Sequence, residues 1–252
     1  MEYIDYDKAE RIVVITLNRP ERLNALGTQL IGNFFEALHK FENDDEARVL
    51  IITGRGRAFS AGADINDMGE LTPEAVKMRS ASMRDLWGVR QVTKPVIAAI
   101  NGIAYGGGMQ IIMGSDIRIA AESATFCRPE INVGLFGTAN TFFPQGLPLC
   151  IALELGFGEV ITAQRACQAG IINYAVPDDE LMPTAQRVAE RIARLSPPLV
   201  KLTKKTLRDM ATPSEQVFFL TEQVVDTTWH LKDREEGMKA FIEKRKPVFE
   251  GR

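Results

Sequence analysis

The sequence predicts an α/β fold built from repeated strand-strand-helix units and followed by a helical C-terminal region. Three observations support this prediction. Apolar, β-branched runs alternate with amphipathic stretches over the first part of the chain. Two of the apolar runs lead into glycine-bearing turns, at residues 59–64 and 105–108. Beyond residue 138 the strand pattern fades and apolar residues recur at helical spacing.

The strands are predicted from short runs of β-branched and apolar residues, which fit a buried pleated surface. Residues 18–21 supply the turn that ends the first of them. The predicted strands cover residues 11–17, 49–53, 95–100, 117–120 and 124–126.

The helices are predicted from apolar residues at helical spacing. The first begins at Thr28, whose hydroxyl can serve as an N-cap, and the second runs from Pro73 to about residue 92. A third follows the triple glycine of residues 106–108. Later helices are predicted over residues 148–156, 181–195, 198–210, 213–227 and 233–244. Because the Ser-Pro-Pro segment beginning at Ser196 is a natural hinge, we expect a core of residues 1–195 and a helical region of residues 196–252.

Composition limits the classes of function. A chain of 252 residues with 45% hydrophobic residues can bury one large core. Thirty basic and 33 acidic residues give a net charge of -3, which argues against a dedicated nucleic-acid-binding protein. The three cysteines have neither zinc-site spacing nor the even number of a disulfide framework. The first residues are acidic, and no window approaches a membrane span, so we expect a cytoplasmic protein that does not bind membranes.

The two glycine-bearing turns also predict a chemical function. Each follows a β-like run, and each can direct a backbone N–H at a substrate oxygen. Two fixed donors stabilise negative charge on a carbonyl oxygen, and the loss of one such donor costs about 3 to 4 kcal/mol. The pair therefore predicts an enzyme that stabilises an enolate, although either turn alone would be explained as a tight chain reversal.

Several segments of the sequence match the motifs of a known family, and the match runs nearly end to end. They are residues 18–26, 56–65, 101–108 and 129–131, with a later echo between residues 163 and 181. In these segments the chain resembles the crotonase, or enoyl-CoA hydratase/isomerase, superfamily. The resemblance implies a spiral of ββα units with a C-terminal helical region that serves oligomerisation. It also implies acyl-CoA thioester substrates and assembly as homotrimers or dimers of trimers.

The resemblance also implies roles for individual residues. The backbone amides of Ala63 and Gly107 are expected to be the oxyanion donors, and Arg22 could meet a phosphate of coenzyme A. No cofactor is expected beyond the coenzyme A that the substrate carries. A metal site is not expected, because His39 and His230 lack ligand-spaced neighbours. The residues expected to contact substrate or coenzyme A are Arg22, Leu23, Ala25, Ala61, Ala63, Asp64, Ile65, Gly106, Gly107, Pro129 and Val133.

Hydratases of this family use two glutamates, and this sequence retains one of them. The position two residues after the triple glycine is Gln110, whereas the Pro-Glu-Ile segment keeps Glu130. A carboxylate can accept and return a proton, while an amide can only orient water or substrate. Glu130 is therefore the predicted acid and base, with an apolar environment expected from Ile131, Val133, Leu135 and Phe136.

The sequence leaves more than one reaction open. Hydration of a 2-enoyl-CoA and migration of a double bond both need one enolate site and one proton carrier. A thioester hydrolase, a C–C lyase and a non-catalytic protein that binds coenzyme A or RNA are further alternatives. Residues 137–143 depart from the family pattern, and Phe136, Phe142 and Phe143 could shape a different acyl pocket. Asp64 and Asp116 are expected to be structural, as a helix cap and a turn residue.

Overall fold

The computed structural model of the chain describes residues 1–65, 86–137 and 147–251, and its strands form two sheets. The strands are β1 (Ile4–Ala9), β2 (Ile12–Leu17), β3 (Val49–Gly54), β4 (Ala58–Ser60), β5 (Val96–Ile100), β6 (Ile103–Tyr105), β7 (Ile117–Ala121), β8 (Thr125–Cys127), β9 (Ile161–Thr162) and β10 (Tyr174–Val176). The larger sheet has the order β1-β2-β3-β5-β7-β10, and the smaller sheet has the order β4-β6-β8-β9.

Eight α-helices lie within the described ranges. They are α1 (Thr28–Glu42), α2 (Gly107–Gly114), α3 (Leu149–Gly156), α4 (Ala163–Gln168), α5 (Leu181–Ala193), α6 (Pro197–Met210), α7 (Glu215–Trp229) and α8 (Lys232–Ile242). Short 3-10 helices cover Pro20–Arg22, Val89–Gln91, Pro129–Val133 and Asp178–Glu180. None of the described helices is both long and apolar enough to cross a membrane.

The chain passes from the larger sheet to the smaller one at each unit. Strands β3, β5 and β7 lie in the larger sheet, and each is followed by a short strand of the smaller sheet. The neighbours β2, β3, β5, β7 and β10 pair in parallel, and β1 pairs antiparallel with β2 at the edge. This arrangement confirms the predicted α/β spiral of strand-strand-helix units.

Both faces of the larger sheet are covered by apolar side chains, as a mostly parallel sheet requires. One face packs against α1 through residues such as Leu30 and Phe34, which are 1% exposed. The other face packs against α5, whose small residues Ala185 and Ala189 are fully buried next to Ile51. Each fully buried Leu, Ile or Phe side chain contributes about 1.5 to 3 kcal/mol to the free energy of folding, so these two layers fix the sheet that carries the site.

The strand predictions were incomplete. Strand β1 was missed because charged residues interrupt its sequence, which is typical of an edge strand with one solvated face. Strands β9 and β10 were also missed, and they lie beyond residue 138, where the strand pattern of the sequence fades. These strands are two and three residues long, which is too short for a period of two to be recognised.

The helix predictions agree with α3 and with α5 to α8 to within two residues at each end, whereas the short helix α4 was not predicted. Helix α1 begins at Thr28, but Gly27 is its N-cap and no side chain caps it, so the capping role predicted for Thr28 was wrong. The predicted helix from Pro73 falls mainly on residues outside the described ranges. Its described end is a turn at residues 86–88 and the 3-10 helix Val89–Gln91. The division of the chain near residue 195 stays a prediction.

Candidate active site

Parallel pairing brings the two glycine-bearing turns to the same edge of the smaller sheet. Strands β4 and β6 are parallel neighbours, so the turns that follow them start side by side. Gly62 has a φ of +94°, and a Cβ atom there would lie 2.8 Å from Tyr105 O and 3.0 Å from Gly107 N. A backbone cannot move aside as a flexible side chain does, so glycine at position 62 allows the turns to touch.

The backbone amide of Ala63 is left available in the first turn. Ala63 forms a parallel bridge with Leu26. In this bridge Leu26 N donates to Gly62 O at 2.7 Å, and Asp64 N donates to Leu26 O at 3.3 Å. The two backbone hydrogen bonds of Leu26 are therefore made with Gly62 and Asp64, the residues on either side of Ala63. The Ala63 N–H has no acceptor among the residues that the structure describes.

The second turn presents the amide of Gly107. Gly107 is the first residue of α2, so no carbonyl one helical turn earlier accepts its N–H. Gly106, with a φ of +50°, is the N-cap, and its own N–H donates to Cys127 O at 3.0 Å. The positive end of the helix dipole adds to the attraction that this amide exerts on a negative oxygen.

A buried asparagine holds the first glycine-bearing turn in place through side-chain hydrogen bonds. Asn24 is 0% exposed and donates from Nδ2 to Ala58 O at 2.8 Å and to Arg55 O at 3.0 Å. Its Oδ1 accepts from Arg19 N at 2.9 Å. The Arg19 side chain in turn pairs with the Asp64 carboxylate at 2.7 Å, a contact that the sequence did not predict. These bonds fix the loop before α1 against the turn that carries Ala63.

Glu130 lies next to the second turn because β6 and β8 are parallel neighbours. It follows β8 in the 3-10 helix Pro129–Val133, and a Cβ atom on Gly106 would lie 3.6 Å from its Oε1. The Glu130 side chain is 19% exposed. Arg128 Nη2 donates to Glu130 Oε1 at 3.2 Å, and the Arg128 side chain is 2% exposed. Neither this pair nor the burial of Arg128 was predicted from the sequence.

Gln110 lies one turn into α2 and is 3% exposed. Its backbone N–H donates to Gly106 O at 3.3 Å, and the residue lines the same cavity as Glu130. The apolar wall beside them includes Val133, Leu135 and Phe136, as expected. Ile131 was also expected to bury Glu130, but it is 45% exposed and is not a lining residue, so that expectation was wrong. Phe142 and Phe143 lie outside the described residues.

These groups converge on a cavity of about 640 Å³, a size that suits a small-molecule ligand. Leu23 is the exception among the predicted site residues that the structure describes. It does not line the cavity, and its carbonyl instead accepts from Ala61 N at 2.9 Å. The predicted residues that line the cavity are Arg22, Ala25, Ala61, Ala63, Asp64, Ile65, Gly106, Gly107, Gln110, Pro129, Glu130 and Val133.

The C-terminal helices complete the cavity with residues that sequence reasoning missed. Trp229 of α7 and Arg234 of α8 stack at 3.6 Å, and burial lowers the pKa of Arg234. Trp87, which is 1% exposed, was also missed. The sequence offers only a weak signal for these residues, since aromatic residues at helical spacing usually belong to a core. The additional C-terminal lining residues are Val225, Thr228, Phe241, Ile242 and Lys244.

Two other titratable candidates, Cys127 and Asp116, do not line this cavity. Burial, with repulsion from Glu130 as a smaller cause, raises the pKa of the Cys127 thiol to about 11, so this cysteine is a poor nucleophile. Asp116 binds Lys204 at 2.8 Å and Arg208 at 2.7 Å, which supports its expected structural role. Within the described part of the chain, no three His, Cys, Asp or Glu side chains are placed to hold a metal ion.

Comparisons with known proteins agree on one family. Residues 7–252 match the family model described as enoyl-CoA hydratase/isomerase. A probable mitochondrial enoyl-CoA hydratase of Dictyostelium discoideum is 38% identical over 96% of this chain and 89% of its own. The 2,3-dehydroadipyl-CoA hydratase of Escherichia coli K12 is 35% identical over 100% of both chains. A solved methylmalonyl-CoA decarboxylase in complex with 2-nitronate-propionyl-CoA superimposes with a TM-score of 0.88 at 29% identity, covering 99% of each chain.

Proposed function

The chain belongs to the enoyl-CoA hydratase/isomerase family and is an acyl-CoA enzyme, and from that premise we propose that it hydrates a 2-enoyl-CoA through a thioester enolate. The observation that carries this proposal is the convergence of three groups on one cavity. The Ala63 and Gly107 residues that supply the two amides line it together with the Glu130 carboxylate. This arrangement fits a reaction in which charge develops on a carbonyl oxygen while a proton moves nearby.

In the proposed reaction Glu130 takes a proton from water, and the water oxygen forms a bond to C3 of the substrate. The electron pair of the C2=C3 bond shifts toward the thioester, whose oxygen becomes negative. The N–H groups of Ala63 and Gly107 donate to that oxygen. Glu130 then returns the proton to C2, which gives a 3-hydroxyacyl-CoA. Gln110 orients the attacking water, because an amide can donate and accept hydrogen bonds but cannot carry the proton.

A second candidate reaction is double-bond migration between a 3-enoyl-CoA and a 2-enoyl-CoA. Gln110 favours this candidate, because it places an amide at one of the two glutamate positions that hydratases of the family use. Here Glu130 would remove a proton from C2 of the 3-enoyl-CoA, and the same enolate-type intermediate would be protonated at C4. No water would enter the product, so the two reactions differ in the mass of what they form.

The coenzyme A moiety is proposed to lie at the open side of the cavity. Arg22 and Lys244 are exposed and line the cavity, so they offer positive charge to phosphate groups. Asp64 already pairs with Arg19, which places a neutralised ion pair, and not an isolated carboxylate, next to the anionic ligand. No further cofactor is needed for either reaction, and a cytoplasmic location stays a prediction.

The test is to incubate the purified protein with a 2-enoyl-CoA and, separately, with a 3-enoyl-CoA in deuterated water. Hydration gives a 3-hydroxyacyl-CoA with added oxygen and deuterium, whereas migration gives an isomer without added oxygen. Glu130→Gln should lower kcat by about 10² to 10⁴, the range of general acid-base catalysis. Glu190→Gln, which changes an exposed glutamate of α5, should leave kcat unchanged. Full turnover in the Glu130→Gln variant would contradict the proposed mechanism.

A further inference from the structure

Glu130 pairs with a charged side chain beside an apolar part of the cavity. Its side chain is 19% exposed, and Val133, Leu135 and Phe136 line the same part of the cavity. Removing a carboxylate from water is costly unless a partner of opposite charge stays with it. Among the described residues, Arg128 is the cation within ion-pair distance of Glu130.

The ion pair uses one oxygen of the carboxylate. Arg128 Nη2 donates to Oε1 at 3.2 Å, whereas Oε2 is buried and accepts no hydrogen bond from the described residues. An arginine that donated hydrogen bonds to both oxygens would compete with proton transfer at each of them. The observed contact fixes the orientation of the carboxylate and leaves one oxygen able to take a proton.

Gly137 lies directly against the Arg128–Glu130 pair. A Cβ atom on Gly137 would lie 1.9 Å from Arg128 Nη2 and 3.3 Å from Glu130 Cδ. Any side chain at this position would therefore displace the guanidinium or the carboxylate. Glycine at position 137 leaves the space that the two side chains occupy, as expected if the site needs the Arg128–Glu130 pair.

We propose that Arg128 is a positioning residue that holds the Glu130 carboxylate oriented for proton transfer. The proposal rests on the proposed function, since it assigns Arg128 a role through Glu130. It also fits a site in which position 110 is an uncharged amide, because Arg128 is then the charged side chain that pairs with Glu130. Arg128 does not need to touch the substrate in this role.

The test is a double-mutant cycle on the full-length protein, assayed with the enoyl-CoA that it turns over. Arg128→Gln should lower kcat by about 10- to 100-fold, the factor that a charge-assisted hydrogen bond carries, with a much smaller change in KM. Arg128→Lys should restore part of kcat, because it keeps the charge. In a Glu130→Gln background, Arg128→Gln should have no further effect, because a residue that acts through another loses its effect when that residue is removed.

Two controls make each outcome decisive. Arg187→Gln removes a surface arginine that also pairs with a glutamate, and it should leave kcat unchanged. If Arg128→Gln does not fold, Arg128→Lys and Gly137→Ala disturb the same pair from its two sides, and both should lower kcat more than they change coenzyme A affinity. Unchanged kcat in folded Arg128→Gln, or additive effects in the cycle, would overturn the positioning role alone. Full turnover in Glu130→Gln would overturn the proposed function and the positioning role with it.

Discussion

At Gly108 the second glycine-bearing turn rests directly on the first. A Cβ atom there would lie 2.5 Å from Ser60 O and 3.0 Å from Ser60 Cβ. Ser60 is fully buried, and its hydroxyl donates to Asn24 O at 2.8 Å and accepts from Gly62 N at 3.2 Å. These bonds hold Ser60 in place, and its carbonyl is backbone that cannot rotate away as a side chain does. An added methyl group at position 108 must therefore push the two turns apart.

We expect Gly108→Ala to lower kcat/KM by about 100-fold or more, because separating the turns removes at least one amide donor from the substrate oxygen. Steady-state kinetics with an enoyl-CoA would measure the effect. The matched control is Gly32→Ala in α1, where a Cβ atom meets no atom within 4 Å. This change should leave the kinetics unaltered and raise the free energy of unfolding by about 0.5 to 1 kcal/mol. Normal kinetics in a folded Gly108→Ala variant would show that the spacing of the turns does not limit the reaction.

The sequence could predict site residues whose role depends on local backbone. Ala63 and Gly107 lie in turns that the glycine residues of the sequence predict. Glu130 can be recognised as a charged residue in a largely apolar segment. The position of Ile131 could not be predicted without knowing that its segment is a 3-10 helix. With three residues per turn, Glu130 and Val133 share a face while Ile131 points elsewhere. The partner of Glu130 depends on the conformation of the long Arg128 side chain, for which the sequence carries no periodic signal.

At the scale of elements, Asp116 attaches helix α6 to the larger sheet. Its carboxylate accepts from Val96 N at 2.8 Å in β5 and binds Lys204 at 2.8 Å and Arg208 at 2.7 Å in α6. Lys204 is 9% exposed and also donates to Lys94 O at 2.6 Å. Burial lowers the pKa of Lys204 from 10.5 to about 8, although Asp116 opposes the shift.

This lowered pKa predicts a pH dependence of stability. The folded protein binds fewer protons at Lys204 than the unfolded chain between pH 8 and pH 10.5. The free energy of unfolding should therefore rise with pH in that window, by up to about 3 kcal/mol, relative to a Lys204→Met variant. Urea unfolding from about pH 7 to about pH 10 would measure the difference. Lys205→Met removes a lysine that is 71% exposed on the same helix, and its curve should run parallel to that of the wild type. A constant offset for Lys204→Met would contradict the prediction.

Elements were predictable where a period was long enough to be read. Helices α5 and α6 span 13 and 14 residues with a clear apolar stripe, and their predicted bounds hold to within two residues. Strand β1 carries charged residues on its solvated face, and β9 has two residues, so neither shows a readable pattern. Pairing with a neighbouring strand decides these short elements, and pairing is a property of the fold and not of the segment.

At the scale of the whole molecule, the C-terminal helix α8 packs on the turn that carries Glu130. A Cβ atom on Gly237 would lie 2.3 Å from the carbonyl carbon of Val133, and one on Gly134 would lie 2.4 Å from Asp233 O. Two glycines distant in sequence thus allow close backbone contact. The sequence could not predict this contact, because glycines in a helix and a loop have many alternative explanations. It explains how Trp229 and Arg234 reach a cavity whose other walls come mainly from residues 22–137.

The helices α6 and α7 leave large apolar side chains exposed. Leu199 and Leu202 of α6 are 63% and 59% exposed, and Phe219 and Leu220 of α7 are each 59% exposed. Exposed apolar residues in this number on adjacent helices are typical of a surface that binds another protein. Because the family resemblance implies trimers, we propose that these helices form the contact between copies of this chain.

This proposal predicts that sedimentation velocity shows a trimer or a dimer of trimers. Leu199 and Leu202 are three residues apart in α6 and so lie on one face of the helix. Replacing both with glutamate would bury two unpaired charges in the contact, which costs several kcal/mol, so the double variant should sediment as smaller species. Leu153→Glu places the same charge on an exposed leucine of α3, outside this surface, and should keep the assembly of the wild type. A monomeric wild type, or an intact trimer in the double variant, would rule out this contact.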